Sequence, residues 1–333
     1  MTESDQLTQV FDDRARRRSD RREMFRMVLG AAAVGGAFAY ASPAAAQTVS
    51  EADVLNFALN LEYLEANFYY YAAFGTPIPG ASIGSTGVPA NSLPLNVGAR
   101  KVNFADQSVA QYAREIAQDE LAHVTFLRTA LGSAAVAQPQ LDLGITPTGA
   151  FSSAARAAGL IADAGANAAQ TSFFDPYADD LSFLYAAFLF EDVGVTAYKG
   201  SSSLLINNKT YVDAAAGILA AEAYHAAIIR TTIDQMGAMP GLKASTIRGD
   251  TELVSNARDS LDGPTDLDQG LAQTTTPIGL TANIVPTDNN GIAFSRSAGQ
   301  VLNIVYLNRA AVTAGGFFPQ GVNGNIKTST NNA

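Results

Sequence analysis

Cysteine is absent from all 333 residues, which excludes disulfide bonds and thiolate metal ligands. Any metal held by this chain is therefore bound through nitrogen and oxygen. Histidine is nearly as scarce, with His123 and His225 alone. Positive charge is in the minority, at 21 Lys+Arg against 31 Asp+Glu, and it is concentrated near the start of the chain. Long apolar runs are lacking as well. The run from Val28 to Tyr40 is short and rich in Gly and Ala, too weak for a stable membrane span of about twenty residues. What is present is an apolar content of 47%, enough to fill a sizeable core.

Residues 1–46 read as an export signal. A basic cluster (Arg14, Arg16, Arg17, Arg18, Arg21, Arg22) precedes the soft Ala/Gly run from Met27, which ends in Ser42-Pro43-Ala44-Ala45-Ala46-Gln47. Ala44-x-Ala46 offers the small side chains that a signal peptidase needs. Arg21-Arg22 followed by Phe25 resembles a twin-arginine signal, although that pattern places the large apolar residue one position nearer and often a lysine after it. Twin-arginine export moves folded proteins, which suits a metal site loaded in the cytoplasm, and it predicts a periplasmic or cell-envelope location. Without residues 1–46 the chain keeps 14 Lys+Arg against 25 Asp+Glu, a net charge of −11. Nucleic acid and anionic membranes are disfavoured as partners.

Beyond the signal the pattern is helical. Val54 to Phe74 is free of Gly and Pro, with a polar stripe of Asn56, Asn60, Tyr63, Asn67 and Tyr70 at helical spacing, and Gly75 as its stop. A loop rich in Gly, Pro and Ser runs to about Ala99. A second helix is expected from about Val102 to Leu131, with a polar stripe of Arg114, Gln118, Thr125 and Arg128 and a stop at Gly132. Residues 133–180, broken by Pro139, Pro147 and Pro176, read as a long crossover with one short helix from about Phe151 to Ala169. Two more helices follow, Leu181 to Lys199 and Tyr211 to Met236, the second stopped by Gly237 and Pro240, with Gly200-Ser201-Ser202-Ser203 as the turn between them. This order predicts an all-α, ferritin-like four-helix bundle with one long crossover over residues 47–240. From about Leu242 the composition shifts to Thr, Asn, Gly and Pro, with β-prone pieces such as Leu280 to Ile284. Residues 241–333 are expected to form an irregular extension carrying one short helix near Ser297 to Leu307.

The chemistry lies in two turns. Each histidine ends a Glu-x-x-His: Glu120-Leu121-Ala122-His123 on the second helix and Glu222-Ala223-Tyr224-His225 on the fourth. A three-residue spacing puts Glu and His on one helix face. With ten glutamates in the chain, a Glu at both −3 positions is a rare coincidence. The first helix adds Glu62 and Glu65, and the third adds Glu191. That is the donor set of a dinuclear site in a bundle, one Glu from each of two helices and Glu-x-x-His from the other two. Periodicity sets these residues on apolar faces: Glu120 and His123 with Ile116, Leu127 and Ala130, and Glu222 and His225 with Ile218, Ile229 and Met236, opposite Arg230 and Asp234. Glu191 lies among Phe183, Ala187, Phe190 and Val195. Buried carboxylates cost several kcal/mol each without counter-charge, and two iron or manganese ions would supply it.

Glu62 and Glu65 both lie on the buried face of the first helix. Glu62 is followed seven residues later by Tyr69, and Glu191 by Tyr198, so the first and third helices read as pseudo-symmetric copies. That symmetry favours Glu62 as ligand and leaves Glu65 as a shifting carboxylate or an acceptor behind the ligands, with Gly194 opposite making room for it. Tyr69 and Tyr198 are the candidate catalytic residues, as hydrogen-bond donors or radical sinks beside the metals; packing is the alternative for both. Asp119 and Asp192 adjoin ligands but are turned aside by about 100°, as surface or interhelical polar residues.

The segment Leu55 to Tyr69, the turn Asp119 to His123, and the tail pieces Val301 to Tyr306 and Gly315-Gly316-Phe317-Phe318-Pro319 resemble the desiccation-related ferritin-like family from about residue 50 to 326. The tail pieces are specific to that family; the helix motifs are shared with bacterioferritin, rubrerythrin and manganese catalase. The resemblance implies a bundle with two iron or manganese ions, in which Glu120 and Glu222 bridge, Glu62 and Glu191 are terminal, and each metal has one histidine. It implies partners such as oxygen or hydrogen peroxide, but no defined reaction. Two functions follow: an exported dimetal oxidoreductase that removes peroxide or oxidises ferrous iron, or a metal-stiffened protective protein without turnover. A storage cage is disfavoured by the insertion between the first two helices, the crossover and the irregular tail.

Overall fold

The computed structural model describes residues 49–333 apart from 93, 166–167, 240–243 and 278; the export signal assigned to residues 1–46 lies outside the described residues. Seven α-helices are found among the described residues: α1 Glu51–Phe74, α2 Gln107–Leu131, α3 Ala150–Ala157, α4 Asp180–Ser201, α5 Lys209–Ala238, α6 Ala244–Asp262 and α7 Ala298–Val305. One small antiparallel hairpin joins β1 Thr274–Thr276 to β2 Gly279–Thr281, with Thr275 opposite Leu280. α1 packs along α2 and α4 along α5, and the two pairs meet through α1 with α4 and α2 with α5. This is the expected all-α bundle, with residues 132–179 as the crossover.

Each of the four bundle helices starts at a polar cap. Ser50 and Asp53 form a reciprocal capping box at α1, and Asp179 and Asn208 accept from backbone amides at the starts of α4 and α5. α2 begins five residues later than periodicity suggests. Its cap is Asp106, and the lead-in is held extended because the Asp180 carboxylate accepts from the amides of Ala105 and Asp106. α3 is also shorter than expected, ending at Ala157 with Gly159 at φ 75° just beyond. Two of the expected stops are helical instead: Gly200 lies inside α4, where a Cβ would strike the Arg296 carbonyl, and Gly237 lies inside α5 under Arg248. Pro240 is outside the described residues.

The polar stripe of α1 faces protein, not water. Asn56 donates to Ala134 O (2.9 Å) and accepts from Val136 N (2.8 Å), Asn60 does the same with Asn323 (2.8 and 2.9 Å), and Asn67 donates to Gln138 Oε1 (2.8 Å). These amides tie the crossover and the tail to α1.

Residues 241–333 are more regular than expected. The 19-residue helix α6 packs on α5, and α7 packs on α4 and α6. Val301 to Tyr306 is buried along its whole length, and Phe317 sits between the rings of Phe151 and Phe190, at 5.1 and 5.0 Å. Gly316 (φ 48°) makes that turn possible, since a Cβ would collide with the Val305 carbonyl. α4 and α5 are long and apolar enough to cross a membrane by length and composition, yet α4 is largely buried in the protein and α5 sends Glu222, His225 and Arg230 into its core.

Candidate metal centre

The four bundle helices turn their acidic residues to one place. Glu62 from α1, Glu120 from α2, Glu191 from α4 and Glu222 from α5 are each 0% exposed, and His225 is buried beside them. His123 Nδ1 lies 3.2 Å from Glu62 Oε2, 3.5 Å from Glu120 Oε2 and 3.9 Å from Glu222 Oε1. His225 Nδ1 lies 3.1 Å from Glu120 Oε1 and 3.4 Å from Glu191 Oε2. Two overlapping donor groups result: Glu62, Glu120, His123 and Glu222, with donor atoms within 4.8 Å of one another, and Glu120, Glu191 and His225, equally close. Glu120 belongs to both, one carboxylate oxygen toward each histidine. Glu222 groups with His123, and Glu65 offers no donor atom to either group.

Several of these atoms are buried without a hydrogen-bond partner: both oxygens of Glu120, both of Glu222, Glu191 Oε2 and His225 Nδ1. An unpaired buried polar atom costs about 1–3 kcal/mol, more when charged, and so many in one spot are rare in a folded protein. The donors fit a pair of divalent cations. They are all nitrogen and carboxylate oxygen, and the orphaned atoms converge instead of scattering.

The electrostatics carry the same sign at every glutamate of the cluster but Glu120: burial works to raise it, but His123 and His225 overcome that and hold its carboxyl well below the usual carboxylate range. Burial raises Glu62 to about 7, with Glu120 adding repulsion against the pull of His123. Burial and the other carboxylates push Glu65 and Glu222 well above the ordinary range. Burial works to lower His123, but Glu62 and Glu120 overcome it and hold the imidazole at about 11. His225 is raised for the same reason, chiefly by Glu191. Without added cations, then, the cluster retains protons in place of the missing positive charge.

Tyr69 and Tyr198 are fully buried and cross between helices. The Tyr69 hydroxyl on α1 donates to Glu191 Oε1 on α4 (2.5 Å), and the Tyr198 hydroxyl on α4 donates to Glu62 Oε1 on α1. Burial and the adjoining carboxylate raise both phenols well above 10, so they stay protonated and remain donors. Gly194 makes room where it stands, although first for Glu222 and only then for Glu65: a Cβ would strike the Glu222 carboxylate, with Glu65 Oε1 3.6 Å away. A glycine inside a helix costs about 1 kcal/mol, and here the space offsets it. Glu65 lines a small apolar cavity with Leu64, Phe190, Ile304 and Phe317.

Periodicity turned Asp119 away from the site, and its own helix does so. Its carboxylate nevertheless reaches across to α5, where Oδ2 lies 3.2 Å from His225 Nε2. A carboxylate there accepts the Nε2 proton and leaves Nδ1 free for the centre. Arg230, expected on the wet side of α5, is completely buried and paired with Asp192. Beside Asp119, Tyr112, Glu115 and Tyr224 rim a cleft of about 290 Å³ between α2 and α5 that reaches His225.

Comparison with known proteins bears on this geometry. Residues 50–235 match the family model for the ferritin-like domain. The chain is 28% identical over 288 residues to a protein named ferritin-like catalase Nec2 from Nesocodon mauritianus, covering 84% of this chain and 86% of that protein. It is 28% identical over 260 residues to desiccation-related protein PCC13-62 from Craterostigma plantagineum, covering 74% and 75%. No solved structure matches.

Proposed function

This chain belongs to the desiccation-related ferritin-like family, and from that premise we propose that it is an exported dinuclear oxidoreductase that removes hydrogen peroxide, with iron or manganese as the metal pair. One observation carries the proposal: buried, unpartnered carboxylate and imidazole atoms from four helices form two overlapping groups that share Glu120. Glu62, Glu120, His123 and Glu222 would hold one ion, and Glu120, Glu191 and His225 the other. Two adjacent redox metals supply a two-electron couple, which is what disproportionation of two peroxide molecules to two waters and one dioxygen needs.

The residues around the donors do the rest. Tyr69 and Tyr198 each fix one carboxylate oxygen of Glu191 and Glu62, leaving the other oxygen for a cation. Asp119 sets the tautomer of His225. Glu65, buried and pushed toward its protonated form, is placed to hold a proton beside the centre. The cleft between α2 and α5, about 290 Å³ in volume, has room for a molecule as small as peroxide. Ferrous oxidation is the related activity open to the same donors. The name of one relative, ferritin-like catalase, favours peroxide removal.

Elemental analysis together with a peroxide-decay assay tests the reading. Two metals per chain and metal-dependent loss of peroxide are expected; a protein with two metals and no peroxide loss points instead to the protective, non-catalytic reading. The well-packed extension and the desiccation-related relative favour that second reading. Under it, chelation lowers the melting temperature while no assay of turnover responds. Export rests on Arg21-Arg22, the Ala/Gly run and Ala44-x-Ala46, and is tested by fractionating cells and sequencing the N-terminus of the mature protein.

A further inference from the structure

We propose that Arg258 and Arg230 are positioning residues for Glu191, so that the segment from α6 onward is part of the metal centre's scaffold. The inference rests on the dinuclear reading above. A metal ligand has to be held within about 0.5 Å of its productive place by the residues behind it. Glu191 occupies one face of α4, and the neighbouring face carries Phe188, Asp192 and Thr196 at four-residue intervals. Every one of the three is gripped by a buried arginine.

Arg258 of α6 donates to the Phe188 carbonyl (2.8 Å) and to Asp192 Oδ2 (3.1 Å). Arg230 of α5 donates to the same Asp192 oxygen (2.7 Å) and to backbone carbonyls of Gln269 (3.0 Å) and Gly270 (2.9 Å). The Phe188 ring lies beside both guanidinium groups, at 5.2 and 4.7 Å. Arg296 donates to Thr196 Oγ1 (2.9 Å), and its amide to the Thr196 carbonyl (3.0 Å).

Asp192 directly follows Glu191, so fixing its carboxylate fixes both the rotation of α4 and its position along the axis. Arg230 lies five residues beyond His225, and thus ties the helix that carries Glu222 and His225 to the one that carries Glu191. Three points along one helix face, held by buried, planar two-pronged groups, leave α4 little freedom to slide.

The test is Mn²⁺ binding to the full chain. Arg258→Met should weaken Mn²⁺ affinity about tenfold or more, the size of effect seen when residues behind metal ligands are removed. It should also alter the electron-spin resonance signal of the bound pair. Arg258→Lys keeps the charge without the fork and should fall between. Unchanged affinity and an unchanged signal in Arg258→Met would overturn the proposal, even if the variant melts earlier. Should Arg258→Met fail to fold, hydrogen exchange on the wild type decides: Mn²⁺ is expected to slow amides of α6 and residues 263–296, and no slowing overturns the proposal. A wild type that takes up no Mn²⁺ or Fe²⁺ fails one step earlier, at the metal centre itself.

Discussion

Two buried clusters of acidic residues lie on either side of α4, and they handle negative charge in opposite ways. On one side Asp192, Asp262 and Asp268 meet Arg230, Arg258 and Arg296, three anions against three cations. Asp259, Asp262 and Asp268 are close enough together to hold a cation, but Asp268 already receives Arg258 and Arg296, and Asp262 receives Arg296. On the other side five glutamates face two histidines, and most of the donor atoms have no hydrogen-bond partner. Proximity of carboxylates alone does not make a metal site. A deficit of positive charge is the better sign of one, and it singles out the glutamate cluster as the candidate.

The contrast can be broken most severely at Glu120, the residue common to both donor groups. Glu120→Gln is expected to abolish metal retention, measured as metal per chain after gel filtration, while the aspartate cluster keeps the fold intact. Arg296→Met attacks the other side. It strands Asp262, leaves Asp268 to Arg258 alone, and should cost about 3–5 kcal/mol in denaturant unfolding, because breaking a buried pair leaves an uncompensated charge. A loss below about 1 kcal/mol would mean that this cluster is not the self-sufficient one.

Smaller changes sharpen the picture. Asp119→Ala frees the His225 ring and should weaken metal binding about 10- to 100-fold, by competition with a chelator. Tyr198→Phe removes one donor to Glu62, and its effect on affinity should be the smallest, a fewfold change corresponding to about 1 kcal/mol.

Acidity gives a further handle on the glutamate cluster. In the metal-free fold Glu62 holds its proton to about pH 7, against an ordinary 4.5, and His123 to about 11, against 6.5. Folded-state values above the unfolded ones mean stability present at low pH and lost as pH rises, between 4.5 and 7 for Glu62 and between 6.5 and 11 for His123. Metal displaces those protons, so the rise in melting temperature on adding metal should grow between about pH 5 and 8. A rise independent of pH would contradict the proton-holding cluster.

Much of this was readable from the amino-acid order. Apolar periodicity around Glu62, Glu120, Glu191 and Glu222 located four helices and set their acidic residues inward, because a ligand on a core helix interrupts a pattern that is otherwise apolar. Gly75 and Gly132 marked helix ends by their left-handed preference. What stayed hidden was burial without apolarity. The inner face of α6 presents Thr251, Ser255, Arg258 and Asp262, all buried, so a search for apolar spacing passes over a genuine helix. Arg230 looked like a solvated residue for the same reason, since its partners are brought in by segments far along the chain. Asp119 was legible as a surface or interhelical polar residue, but its partner was not, because a single helix's periodicity says nothing of what it meets across a cleft.

Metal stoichiometry measured on two proteins side by side, the wild type and Glu120→Gln, each dialysed against excess Mn²⁺ or Fe²⁺ and then washed, puts the charge-deficit claim to its most direct test. Two ions per wild-type chain and none in the variant is the predicted result. A wild type without metal, or a variant that keeps its ions, would contradict it.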